Sequence, residues 1–313
     1  MTKQIQTFTT ALSALRRYFN ERQVTEVLTP PMVENPGIEP HLHPFQVYSA
    51  IRKETIPFYL QTSPEFWMKW VLANATELKN IYTLNYSFRD EPESEWHRPQ
   101  FLMLEWYRVG ATLFDIIEDC RGLYEHITNS LQINSDISHR VATVHEIFHE
   151  VLEVNLDNLL TTDSMKNYIL KEHADLAGAE ELNLWEDLFF LLFLNKIEPT
   201  FQKIPSLFLT KFPKQLAALS KLDEQDPRYC QRFEWYLNGV EIANCFHELT
   251  DLDEQRARAQ QDLKKKSNLY SIEIQEPQFL YQALDKGLPT CSGIALGFER
   301  LIKVLSKEYD FLY

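Results

Sequence analysis

The sequence predicts an α+β fold, an antiparallel sheet flanked by helices, with a helical insertion over about residues 112–205. Three observations carry this prediction. Strand-like runs with turn chemistry lie on both sides of that stretch, helical periodicity dominates within it, and a glycine-punctuated strand runs directly into a helix near residue 297. A chain of 313 residues that is 44% hydrophobic and 13% aromatic can bury a large core, and residues 1–313 read as one domain.

In chain order, "TTALSALRRYFNER" spaces its apolar residues as a helix does and leads into "VTEVLTPPMV", an extended piece stopped by Pro30 and Pro31. "PFYLQTSPEFWMKWVLAN" reads as a strand ending at Gln61, then a helix over 64–74 capped by Thr62 or Ser63, with Pro64 in its first turn and Glu65 close behind. "IYTLNYSFR" and "PQFLMLEWYRV" are strand-like runs around a polar loop, and "IFHEVLEV" and "LWEDLFFLLFL" are helical. After them come "PSLFLTKFP", a hairpin "RFEWYLNGVEIANCF" turning at Asn238-Gly239, a long helix, and "CSGIALGFERLIKVL".

With 31 basic and 45 acidic residues the net charge is −14, which excludes a broad phosphate footprint of the kind nucleic-acid binders use. The one basic cluster, "LKKK" at 263–266, ends a helix whose early acids and late lysines suit its dipole, so a solvated helix end is expected. No apolar run reaches membrane-span length and the first residues lack a signal core, so a cytoplasmic location is expected. Cys120, Cys230, Cys245 and Cys291 have no paired spacing, which points to reduced thiols and no structural metal.

A two-residue Asn-Gly turn pairs Leu237 with Val240, Tyr236 with Glu241, and Glu234 with Ala243. Glu234 and Glu241 then share a face as diagonal neighbours, roughly 7 Å apart at Cβ, where two carboxylates can hold one hydrated divalent cation such as Mg²⁺. A pair of solvent-facing acids on an edge hairpin fits the same pattern. Alternation puts Asn244 on the other face unless a bulge intervenes.

In "SFRDEPESEWHRPQFLMLEWYRVG", alternation puts Phe101, Met103, Glu105 and Tyr107 on one face of a strand. Arg89 ends the preceding strand, acids run from Asp90 to Glu95, and His97 follows, a set able to take an anionic, flat ligand. A wet charged loop on an amphipathic hairpin fits the pattern equally well.

Wider motifs separate these alternatives. "SFRDE" followed by "HRPQF" and "LEWY" resembles motif 2 of class II aminoacyl-tRNA synthetases, in the lysyl branch. "GIALGFERL" at 293–301 resembles motif 3, and "VTEVLTPPMV" resembles motif 1, the dimer-interface strand. "TSPEF", "FRDE", "MLEWYR", "GVEIANCFHELTD" and "CSGIALG", in order and spacing, are similar to the lysyl-tRNA-synthetase-like (R)-β-lysine ligases that modify elongation factor P, over about residues 10–305.

The resemblance implies that Arg89 and Arg300 grip the phosphates of ATP and carry catalysis, that Glu91 and His97 contact adenine or phosphate, and that Phe101 stacks on the base. It further implies that Asp90, Arg98, Glu241, Ile242 and Gly297 line the nucleotide and that Glu234 and Glu241 are the Mg²⁺ ligands. The lysine pocket it implies has Ser63, Pro64 and Glu65 at the substrate's amino and carboxylate end. Glu105, Tyr107 and Glu248 surround the distal ammonium, with Asn244 between. Burying an ammonium demands paired carboxylates. Ala295 stands where lysyl-tRNA synthetases have glycine and the β-lysine ligases alanine; one methyl group there is worth about 1–3 kcal/mol of discrimination.

By the same resemblance the chain is an ATP- and Mg²⁺-dependent ligase that activates (R)-β-lysine or lysine and transfers it to elongation factor P, acting as a homodimer through motif 1. Motif 1 begins within the first 30 residues, so no anticodon-reading domain and no tRNA recognition are expected. The chain departs from the family pattern at Arg98 and Gln100, where asparagine and glutamate are usual, at Phe298-Glu299 in place of Val-Asp, and at Cys245 in place of glycine. Two rivals remain: a paralogue that activates or senses lysine without this acceptor, and a zinc peptidase built on "HEIFH" at 145–149, which matches H-E-x-x-H.

Overall fold

A computed structural model describes residues 1–49, 51, 58–134, 136–271, 273–306 and 309–311. Pro57, the start of the "PFYLQ" run, lies outside them. The elements run α1 (Thr2–Glu21), β1 (Thr25–Glu26), β2 (Met32–Val33), β3 (Gln46–Val47), β4 (Phe58–Leu60), α2 (Glu65–Asn74), β5 (Asn80–Phe88), β6 (Gln100–Val109) and α3 (Leu113–Ser130). There follow β7 (His139–Thr143), α4 (Val144–Leu152), α5 (Thr162–Glu172), α6 (Trp185–Leu192), β8 (Ser206–Thr210), β9 (Arg232–Leu237), β10 (Val240–His247), α7 (Leu252–Tyr270), α8 (Gln278–Asp285), β11 (Cys291–Gly297) and α9 (Phe298–Leu305). The class is α+β. Contacts within the chain define two compact units, one of residues 1–135 and 247–313, the other of residues 136–246.

In the first unit the strand order is β1, β5, β6, β11, with β5, β6 and β11 antiparallel and the short β1 parallel to β5. The face of this sheet that carries Tyr82 and Trp106 is covered by α1: Phe19 stacks on Tyr82 with ring centroids 4.4 Å apart and meets Trp106 at 5.7 Å. α3 begins at a capping box in which Thr112 and Asp115 satisfy each other's backbone N–H groups. Tyr18 then ties α1 to α3 by donating to the Asp119 carbonyl at 2.9 Å. With one face sealed by aromatic burial, the other, bearing Phe101, Glu105 and Tyr107, is left for chemistry. A small second sheet, β2–β4–β3, leads into α2.

The second unit orders its strands β7, β8, β9, β10 up to Phe246, over a core that includes Phe148, Trp185, Phe189, Phe193 and Phe201. Within the stretch expected to be helical, β7 forms a parallel pair with β8, from His139↔Ser206 to Thr143↔Thr210. Its five residues are too few to outweigh the helical periodicity that follows them.

The hairpin keeps the expected pairs Val240↔Leu237 and Glu241↔Tyr236, with Asn238 and Gly239 both at positive φ (50° and 83°) as a type I′ turn requires. Beyond them the expected Glu234–Ala243 pair is corrected: a bulge between Glu241 and Ala243 pairs Ala243 with Trp235 and Asn244 with Glu234. The expectation of a solvated "LKKK" end is also corrected. Lys266 is buried and donates to the carbonyls of Glu39, at 2.9 Å, and of Leu42, so it fastens α7 to the 39–42 loop. The four cysteines are buried and form no disulfide, and no helix among the described residues is long and apolar enough to cross a membrane.

Candidate active site

The β6–β11 pair forms the floor of a buried polar pocket in the first unit. Antiparallel register sets Gly293 opposite Tyr107, Ala295 opposite Glu105 and Gly297 opposite Met103. Alternation keeps these three small residues on one face, which leaves room for the longer side chains of β6. A Cβ on Gly293 would meet Tyr107 Cε1 at 2.1 Å and Glu248 Oε1 at 2.6 Å, so the bare backbone here makes space for both a ring and a carboxylate. Glu248 is anchored to the same strand through its N–H, which donates to the Cys291 carbonyl at 3.0 Å.

The pocket wall comes from the start of α2, whose cap position is Pro64. The expected cap at Thr62 or Ser63 is thereby corrected, since Pro64 holds that position without a side-chain cap bond; Ser63 Oγ, just before it, accepts the Glu65 N–H at 3.1 Å and donates to Glu105 Oε1 at 2.6 Å. One turn on, Lys69 Nζ lies 2.6 Å from Glu65 Oε1 and 2.7 Å from Glu248 Oε2. Glu65 is 8% exposed, Tyr107 2%, and Lys69, Glu105 and Glu248 1% each. Three carboxylates, a phenol and one ammonium therefore share a site withdrawn from water.

That burial governs their ionisation. It pushes the Glu105 carboxyl well above the usual carboxylate range, with the charge of Glu65 adding to the effect. Glu248 is pushed up to about 8 by burial, Lys69 opposing and Glu65 adding. Glu65 is raised in the same sense by burial, against the pull of Lys69. Burial would lower Lys69, but Glu248 and Glu65 together hold it above its ordinary value. Glu105 Oε2 and Glu248 Oε1 are buried without a hydrogen-bond partner in the protein. An unsatisfied buried acceptor costs about 1–3 kcal/mol, more when charged, so the pocket is built for a cationic donor.

The loop from Arg89 to Pro99 is closed by the Arg89 N–H donating to the Pro99 carbonyl at 2.8 Å. The Arg89 guanidinium lies 5.2 Å over the Phe101 ring, and its Nε is buried without a partner. Asp90 is exposed and Glu91 half-buried, with the Asp90 N–H donating to the His43 carbonyl at 2.7 Å. His97 is exposed, its Nδ1 2.8 Å from Ser94 Oγ. Arg98 donates to the Ser94 carbonyl at 2.6 Å and lies 4.8 Å over Phe311, so this departure from the family pattern serves the loop's own packing. Arg300, on α9, reaches the same loop at the Trp96 carbonyl, 3.5 Å away. Glu299 fixes α9 to β6, accepting the Leu102 N–H at 2.8 Å and the Tyr309 hydroxyl at 3.3 Å. Gln100 alternates onto the face opposite Phe101, where with Phe45, Leu60, Phe88, Glu93, Arg98 and Pro99 it lines a cavity of about 440 Å³.

In the second unit, Glu234 pairs with Arg232 and accepts the Tyr236 hydroxyl at 2.6 Å. Glu241 stands opposite Tyr236 and so shares the face of Glu234. The bulge, with buried Ile242 at its centre, carries Asn244 to that face as well, where its Oδ1 accepts from Arg232 Nε at 3.0 Å. Burial pushes Glu234 up to about 7 against the pull of Arg232, with Glu241 and Glu198 adding to the rise. This all-oxygen, mutually repelling donor set fits a hard cation such as Mg²⁺, which needs only one or two protein carboxylates.

The zinc-peptidase alternative is not supported. Glu146 Oε2 accepts the Thr143 N–H at 2.7 Å and its hydroxyl at 2.9 Å, a capping box at the start of α4, and His145 faces Asn155 at 3.1 Å. Among the described residues no group of three or more His, Cys, Asp or Glu side chains could hold a metal ion. Sequence reasoning missed Lys69, Gly293 and Glu198. Lys69 stands four residues after Glu65 on a helix, a pairing signal that was legible, whereas the other two needed cross-strand register and three-dimensional proximity.

The fold and pocket define a synthetase-like catalytic domain. The chain belongs to the tRNA synthetases class II (D, K and N) family, whose model matches residues 1–310. It is also similar to three proteins named elongation factor P (R)-beta-lysine ligase. That of Vibrio cholerae is 36% identical, with 97% of this chain and 92% of the relative covered. Those of Erwinia tasmaniensis and Pectobacterium atrosepticum are 36% and 34% identical, each with 95% and 89% covered.

Proposed function

We propose that the protein is a cytoplasmic, homodimeric ligase that activates (R)-β-lysine, or lysine, with ATP and transfers it to a lysine side chain of elongation factor P. The observation that carries this reading is the buried carboxylate pocket, in which Glu105 Oε2 and Glu248 Oε1 lack partners. A substrate ammonium satisfies both. The names of the relatives supply the acceptor, and the net charge of −14 favours a protein over tRNA.

In the first step a substrate carboxylate oxygen attacks the α-phosphorus of ATP, and the bond to the bridging oxygen breaks to release pyrophosphate. Arg89 and Arg300 bind the phosphates, Arg89 through a guanidinium already braced on Phe101, and Phe101 offers its ring to the base. Glu91, His97 and Asp90 frame the same loop. Glu234 and Glu241 would hold Mg²⁺, whose chemistry would be the neutralisation of phosphate charge. The pocket meanwhile fixes the amino acid by its ammonium groups, the entropic part of catalysis. In the second step the deprotonated ε-amine of the acceptor lysine attacks the adenylate carbonyl. The bond from the carbonyl carbon to the phosphate oxygen breaks, AMP leaves with that oxygen, and the extra proton on the new amide nitrogen passes to solvent.

Motif 1 supports the dimer, because Leu28 (87% exposed) and Met32 (44%) present apolar surface there. Pyrophosphate exchange with each lysine isomer tests the activation step. Exchange with β-lysine or lysine and none with norleucine is the expected result, and exchange with neither isomer overturns the reading.

A further inference from the structure

The groups that face this pocket come from several elements: Glu65 and Lys69 on α2, Glu105 and Tyr107 on β6, Glu248 after β10, Cys291 on β11, and Glu39 acting on Glu65 from the loop before β3. Among these groups Lys69 is the cation, and it follows Glu65 by four residues, so both project from one face of α2. Its ammonium takes Glu65 Oε1 and Glu248 Oε2. The second oxygen of Glu248 is thereby left beside Gly293 and Tyr107, without a partner. Ser63 does the same for Glu105, engaging Oε1 and leaving Oε2. In both carboxylates one oxygen is clamped by the protein and the other has no partner in it.

We propose that Lys69 is a positioning residue for amino-acid recognition: its fixed ammonium holds Glu65 and one oxygen of Glu248 and so aims Glu248 Oε1 at an ammonium group of the substrate. With Glu65, Glu105 and Glu248 ionised against Lys69, these four groups hold an excess of two negative charges for the substrate's ammonium groups to meet, while its carboxylate is turned to ATP. The inference rests on the reading of this pocket as the amino-acid site. Burial keeps the carboxyls raised, so arrival of the substrate's ammonium groups expels protons from them.

Calorimetric titration of β-lysine and lysine, in two buffers of different ionisation enthalpy, combined with pyrophosphate exchange, tests this on the full chain. Wild-type protein is expected to release protons on binding. Lys69→Met removes the internal cation, and the cost of breaking a buried pair predicts amino-acid affinity about 100-fold weaker, with KM for ATP changed less than about threefold. It also predicts more protons released per amino acid bound, and binding that recovers as pH rises, because Glu65 and Glu248 are then more fully protonated beforehand. If Lys69→Met does not fold, Lys69→Gln serves instead: it keeps an N–H donor but no charge, so amino-acid affinity is expected to fall in the same direction by a smaller factor, with proton release above that of the wild type. A folded variant with unchanged amino-acid affinity, proton release and pH profile overturns the proposal. Wild-type protein that binds neither isomer overturns the pocket reading itself, and the role of Lys69 falls with it.

Discussion

Gly293 and Tyr107 are cross-strand partners so close that a methyl group on Gly293 would sit 2.1 Å from the Tyr107 ring. The tyrosine is 2% exposed and packed among three carboxylates, so the ring cannot move aside without disturbing Glu248. Gly293→Ala is therefore expected to displace pocket groups by several tenths of an ångström or more. Misplacement on that scale predicts about a 100-fold loss in amino-acid-dependent pyrophosphate exchange with little change in KM for ATP. Equal loss for both substrates would mean that the floor of the pocket is not where the amino acid binds.

In the proposed reading Glu105, whose Oε2 is buried without a partner in the protein, meets the distal ammonium of the substrate. Glu105→Gln keeps the side chain's shape and the Ser63 contact but removes the charge. A lost charge-assisted hydrogen bond is worth about 1.5–3 kcal/mol, so kcat/KM for the lysine isomer that is used should fall roughly 10- to 100-fold. Steady-state exchange at varied amino acid checks this.

Stability should depend on pH through the buried carboxyls. Glu248, held at about 8, keeps its proton in the folded chain while the unfolded chain releases it at ordinary carboxyl pH. The folded state binds more protons between those limits, so this group's contribution to stability falls as pH rises from about 5 to about 8. Thermal melts across that range should show Glu248→Gln losing less Tm than the wild type; parallel pH profiles would show that Glu248 is not held protonated.

The H-E-x-x-H segment gives a contrasting outcome. Glu146 caps α4 through Thr143, so Glu146→Ala should cost about 1 kcal/mol in urea unfolding, as lost caps do. Ligase activity and the metal content of the purified protein should not change. Stoichiometric zinc lost with Glu146 or His145 would restore the peptidase reading.

Much of this arrangement was legible in the sequence because it is local or strictly periodic. Alternation placed Phe101, Glu105 and Tyr107 on one face, Pro64 and Glu65 marked the start of α2, and Asn238-Gly239 set the turn and its first two pairs. What escaped depends on deviations from periodicity or on distant contacts. The bulge that brings Asn244 opposite Glu234 breaks the two-residue repeat at Ile242. The burial of Lys266 depends on carbonyls more than 220 residues away in the chain. The tie between Lys69 and Glu248 spans two segments that only folding brings together.

The proposed dimer through motif 1 is expected to be lost when Leu28, 87% exposed, is replaced by aspartate. Light scattering should report a dimer for the wild type and a monomer for Leu28→Asp, whereas a wild-type monomer at micromolar concentration would contradict it.

The most direct test of the account is intact-mass analysis of elongation factor P after incubation with the protein, ATP, Mg²⁺ and β-lysine or lysine. The predicted result is a single added β-lysyl or lysyl group on one lysine side chain, formed roughly 10- to 100-fold more slowly with Glu105→Gln at limiting substrate. An unmodified factor alongside robust pyrophosphate exchange would contradict the transfer step and leave an amino-acid-activating enzyme with another acceptor.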